Sequence, residues 1–274
     1  MPAQPAHALK PDAPILLRDV KGNIGVLTLN RPTARNSLSE ALIAELHKAL
    51  SDYADDPSIR AVVVAANGMA FSAGHDLKEL TAHRGDADRG RAYFAKLMTA
   101  CSAMMQAIMH LPKPVVAAVQ GIATAAGCQL VATCDLAVAS EAASFATPGV
   151  DIGLFCSTPM VALSRNVSRK HAMEMLLTGE PISASTAKAI GLVNQVVPAG
   201  AELDGAIALA EKVALKSAYT VKVGKAAFYR QAEMNLAEAY KFAAEVMTEN
   251  MMARDAEEGI CAFIEKREPK WQGK

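Results

Sequence analysis

The chain has 274 residues, enough for one large domain or two small ones. Its 28 Lys and Arg balance 28 Asp and Glu, so it lacks the basic excess that nucleic-acid binders usually carry, and a small-molecule or protein partner is indicated instead. Half of the residues are apolar, yet no continuous apolar run reaches the ~18–20 residues of a membrane span. The nearest stretch, Val115–Cys134, is interrupted by Gln120, Gly121 and Gln129.

Residues 1–14 are rich in Pro and Ala, with neither a signal-peptide core nor the Arg-rich amphipathic character of a transit peptide. They read as a flexible leader in a cytoplasmic protein. Next come two short apolar runs, Ile15–Val20 and Ile24–Leu29, with a hairpin turn at Lys21-Gly22-Asn23. A helix is expected from Leu38 to Tyr53, with Ser37 and Glu40 as a capping box. Ile59–Ala65 reads as a buried parallel strand, and Arg91–Leu111 as a long helix stopped by Pro112 and Pro114. Its methionines Met98, Met104, Met105 and Met109 suit core, with partial exposure to a pocket.

Strands follow at Val115–Val119 and Asp135–Ala139. Helices are expected at Ser168–Thr178, stopped by Gly179, and at Ser183–Ile190, stopped by Gly191. A last strand covers Val193–Val197, and helical pattern runs from Glu202 to Lys266 with breaks near Ala218 and Asn235. The expected organisation is α/β: a core over 15–200 and a helical region over 201–274. Five cysteines, odd in number and lacking any C-x-x-C pair, indicate buried free thiols rather than a zinc site or disulfides; no metal is expected.

Two strand-to-helix turns carry the chemistry: FSAGHDLKEL (71–80) and the stretch from Gly121 to Leu130. Small residues there let the backbone approach a ligand and present N–H groups to it. Two such turns on neighbouring parallel strands can surround one oxygen with donors, the geometry of an oxyanion hole.

These strings, with AAGCQLVATCD (125–135), FATPGVDIGLF (145–155), the RP-x-x-x-NSL pattern at Arg31 and FIEKREPKW (263–271), resemble the enoyl-CoA hydratase/isomerase (crotonase) superfamily from about Ile15 to Trp271. The resemblance implies a crotonase-like spiral of ββα turns, closed by C-terminal helices that build homotrimers or hexamers. It implies an acyl-CoA ligand, with no cofactor beyond that thioester, held by the N–H groups of Ala73 and Ala126. Contacts to coenzyme A are implied for Arg35, Ser37, His75, Asp76, Leu77 and Lys266.

Hydratases of this family carry a glutamate at each of two positions, where this chain has Gln129 and Gly149. Gln129 can position water or substrate but cannot exchange a proton at neutral pH. Asp151, two residues beyond Gly149, would face the same way in an extended segment and is the remaining candidate base. Cys156 has no basic neighbour in sequence and reads as an inert buried thiol. Ordinary hydratase activity is therefore expected to be weak or absent. A non-catalytic acyl-CoA-binding or scaffold protein is the alternative. RNA binding, known in one branch of the superfamily, finds no support in a neutral chain.

Overall fold

The computed structural model describes residues 13–274, so residues 1–12 of the expected leader lie outside the described residues. Pro14 is tied down, its carbonyl accepting from Asn30 Nδ2 at 2.8 Å. The strands, in chain order, are β1 (Leu16–Lys21), β2 (Ile24–Leu29), β3 (Ala61–Ala66), β4 (Ala70–Ser72) and β5 (Val115–Val119). They continue with β6 (Ile122–Thr124), β7 (Leu136–Ser140), β8 (Ser144–Ala146), β9 (Ile182–Ser183) and β10 (Gln195–Val197). The helices are α1 (Glu40–Asp55), α2 (Leu77–Ala82), α3 (Arg91–His110), α4 (Ala126–Thr133), α5 (Pro159–Asn166) and α6 (Arg169–Thr178). After them come α7 (Ala184–Ala189), α8 (Glu202–Ala214), α9 (Ala218–Gln231), α10 (Leu236–Met251) and α11 (Arg254–Glu265).

A six-stranded sheet has the order β1-β2-β3-β5-β7-β10, parallel except for the β1–β2 hairpin. Its centre is apolar on both faces, and alternation along β3 shows why. Val62 and Val64 join the core beneath α1 and α3, whereas Ala61, Val63 and Ala65 face the other way. That second face is covered by Ala206, Ala210 and Ala214 of α8, whose spacing of four keeps small side chains on one stripe.

A second sheet, β4-β6-β8-β9, stacks strands of two or three residues beside the first. Runs this short fall below the length at which alternation can be recognised, so the sequence does not announce them. Each long strand thus hands the chain to a short one and then to a helical segment: β3–β4–α2, β5–β6–α4, and β7–β8 into a 3-10 turn over Pro148–Ile152. This is the crotonase-like ββα spiral. Two local expectations change. Helix α1 begins at Glu40 and its cap is Ser39, which accepts from Leu42 N at 3.2 Å, so Ser37 caps nothing. The helical tail also breaks a third time, at Met252 and Ala253.

Candidate active site

Strands β4 and β6 are parallel neighbours, so the loops leaving them run side by side. They touch at Gly74. Its φ of +85° suits glycine, and a Cβ there would come within 2.9 Å of Ala125 Cβ and 3.3 Å of Ala126 N. Around it all amides but one are already used. Ala73 N–H donates to Arg35 O at 3.0 Å, Leu38 N–H to Gly74 O at 2.7 Å, and Asp76 N–H to Leu38 O at 3.3 Å. The intervening His75 N–H meets no acceptor among the described residues. In the second loop, Ala125 N–H is taken by Ala146 O at 2.9 Å, and the first helical bond runs from Gln129 N–H to Ala125 O. Ala126, first residue of α4, keeps an unpartnered N–H among the described residues, as helix starts do.

His75 and Ala126, which carry the two unpartnered amides, both line one cavity of about 630 Å³, walled by α2, α3 and the segment from Pro148 to Pro159. Leu77, Leu80, Phe94, Met98, Ile152 and Phe155 make most of its wall apolar. Ala73 lines the cavity too, but its N–H is already bonded within the fold, which corrects the sequence assignment: the amide available in this loop is that of His75. The imidazole of His75 is itself buried. Burial holds it below its ordinary pKa of 6.5, and its Nε2 has no partner among the described residues.

The remaining candidates divide. Asp76 caps α2 through Lys78 N and accepts from Arg31 at 2.9 Å and Ser37 Oγ at 3.1 Å. Burial opposes ionisation of Asp76, but the Arg31 and Ser37 hydrogen bonds outweigh it and hold the carboxyl below the usual range. Ser37 and Asp76 therefore brace the first loop. The exposed side chain of Arg35 does not line the cavity, and Lys266 ends α11, also away from it. Gln129 is buried and absent from the cavity wall, with its Oε1 unpartnered among the described residues.

The segment opposite the amides is closed down on Gly149. A Cβ there would lie 2.8 Å from Leu154 O and 2.9 Å from Cys156 Sγ. Cys156 thus fills the space that a side chain at position 149 would need, and burial pushes its thiol up, so it stays protonated at neutral pH. Asp151 lines the cavity, but in a 3-10 turn rather than an extended strand, so it does not share the outlook of Gly149. Its oxygens stand 3.1 and 3.2 Å from where a Cβ on Gly179 would sit. A second cavity, of about 540 Å³, lies against Arg60, Lys113 and Trp271. There Arg60 and Lys113 are bonded to main-chain carbonyls, and neither of the two loops reaches it.

The enoyl-CoA hydratase/isomerase family model matches residues 19–274. The chain belongs to that family. Among enoyl-CoA hydratase/isomerase relatives, the mitochondrial enoyl-CoA hydratase domain-containing protein 3 of Xenopus laevis is 47% identical over 94% of this chain and 86% of its own length. The Homo sapiens protein of the same name is 47% identical over 89% of this chain and 79% of its own. A solved structure described as an enoyl-CoA hydratase of Mycobacterium smegmatis has 53% identity and a TM-score of 0.89, covering 94% of this chain and 99% of that one. The two relatives named mitochondrial overturn the cytoplasmic expectation. That expectation rested on a leader lacking a transit signature, and a missing signature carries no address.

Proposed function

We propose that this family member binds an acyl-CoA thioester and polarises its carbonyl between the N–H groups of His75 and Ala126. The supporting observation is the convergence of two unpartnered amides, contributed by adjacent parallel strands, on one largely apolar cavity. Ala126 stands at the N-terminus of α4, where the helix dipole adds positive potential for a developing oxyanion. An enolate formed α to the thioester would be stabilised there with no cofactor beyond the substrate.

Proton transfer is where the chain departs from a hydratase. Gln129 is a neutral amide outside the cavity wall, and Gly149 has no side chain. Asp151 is the carboxylate that remains at the wall, and we assign it the base, with turnover limited by its position against Gly179. A binding protein without chemistry is the second reading, favoured by the same two positions. Assembly into homotrimers or hexamers through the C-terminal helices belongs to the proposal.

Acyl-CoA should raise the melting temperature by mass action, and crotonyl-CoA hydration should run several orders of magnitude below an efficient hydratase, since each proton-transfer group is typically worth ~10²–10⁴ in rate. No thermal shift with several acyl-CoAs at millimolar concentration would defeat the binding claim. Residual turnover that survives Asp151→Asn would remove Asp151 as base.

A further inference from the structure

The cavity wall contains a cation that no carboxylate among the described residues pairs with. Arg84 lies in a 3-10 turn, His83–Gly85, between α2 and α3, and lines the cavity beside Leu80, Phe94 and Met98. Its guanidinium carbon stands 5.8 Å over the Phe94 ring. It forms no ion pair among the described residues, although three carboxylates are near in sequence. Each of those is engaged elsewhere. Asp86 accepts from His83 Nδ1 at 2.8 Å, Asp88 caps α3 through Gly90 N and Ala92 N, and Glu79 receives Glu40 N at 2.9 Å. The turn itself is held, because the His83 ring stacks on Tyr93 with centroids 3.6 Å apart.

Resting on the thioester reading above, we infer that Arg84 selects acyl-CoAs whose acyl chain ends in a second carboxylate. With the thioester oxygen at His75 and Ala126, an acyl chain laid along α2 would reach the turn that follows it. Helix α2 has six residues, about 9 Å at 1.5 Å per residue, so a few carbons separate the thioester from the distal carboxylate. The guanidinium, exposed at the edge of an otherwise apolar wall, matches a carboxylate bidentately. Asp151, the cavity's carboxylate, has its oxygens against Gly179 and presents no competing partner to Arg84.

The test compares glutaryl-CoA with pentanoyl-CoA, equal in chain length, and with free coenzyme A, by calorimetric titration of wild type, Arg84→Gln and Arg84→Lys. Wild type should prefer glutaryl-CoA by about tenfold or more. Arg84→Gln should bring that ratio to about one, and Arg84→Lys should keep part of it. Equal wild-type affinities for the two thioesters would overturn the inference alone. So would an Arg84→Gln variant that weakens glutaryl-CoA, pentanoyl-CoA and free coenzyme A by one common factor, because Arg84 would then be reading the coenzyme's phosphates. If wild type bound none of the three, the thioester reading would itself fall, and this inference with it.

Discussion

At the scale of single residues, the site is built from backbone under constraint. Ala125 has φ +50° and ψ −119°, a conformation ordinarily left to glycine, and it immediately precedes the proposed Ala126 donor. Ala125→Gly should stabilise the protein by about 1 kcal/mol, read from the denaturant midpoint, with Gly74→Ala destabilising it through the clash with Ala125. Gly149 sets a limit on engineering. Restoring glutamates at 129 and 149 looks from the sequence like a route to hydratase activity. The approach of Leu154 O and Cys156 Sγ means that Gly149→Glu must first push the loop aside, at about 1–3 kcal/mol. That variant should show a lowered urea midpoint and no gain in crotonyl-CoA turnover; a full gain with unchanged stability would show that the loop yields freely. Asp76 gives a pH signature. Its folded pKa lies below the ordinary 3.8, so its contribution is present above that value and lost as pH falls through the lower, folded one. Asp76→Asn should therefore lower stability near neutrality and flatten the acid limb of the stability profile.

At the scale of elements, α9 has no fully buried residue, yet two of its side chains, Lys225 and Tyr229, pin it to the body. Lys225 Nζ donates to Ile108 O at 2.8 Å, Lys113 O at 3.0 Å and Asp135 Oδ2 at 2.6 Å. Asp135 in turn accepts from Val115 N and Tyr229 Oη, joining α9 to the start of β5. Burial pulls the Lys225 pKa down, while Asp135 works against that pull and keeps the pair ionic. Lys225→Met would leave Asp135 buried without its cation and should cost about 3–5 kcal/mol in urea unfolding. A cost under 1 kcal/mol would mean that α9 is held by its apolar contacts instead. The start of α1 offers a smaller check: Ser39→Ala should lose about 1 kcal/mol as the cap to Leu42 N is removed.

At the scale of the whole molecule, α10 runs sixteen residues without burying one, and Leu236, Tyr240, Met247 and Phe263 are exposed on this C-terminal region. Apolar surface of that extent calls for a partner surface. Among the described residues no helix is long and apolar enough to cross a membrane, so a lipid span is not the answer. Sedimentation at micromolar concentration should show a trimer or hexamer, and Tyr240→Glu combined with Phe263→Glu should shift it toward monomer. A wild-type monomer at that concentration would contradict the assembly. The tail is fixed independently of any partner. Asp255, 1% exposed, accepts from Ser217 Oγ at 2.6 Å, Gln272 N at 2.7 Å and Gly273 N at 2.9 Å.

What the sequence determined by itself was local. Periodicity and stop residues placed α3, α6 and α7 within a residue or two, and the small-residue turns at 71–80 and 121–130 marked the loops that meet at the cavity. Tertiary structure decided the rest, because it turns on what lies across from each group. Ala73 and His75 are indistinguishable as amides along the chain. Arg35 O takes the first and leaves the second unpartnered. Gln129 was singled out by the family resemblance and Asp151 by spacing, yet buried Gln129 is absent from the cavity wall, while a 3-10 turn leaves Asp151 at the wall with its oxygens against Gly179. Arg84 carried no motif at all, since an unneutralised cation is defined by the carboxylates that the fold has engaged elsewhere.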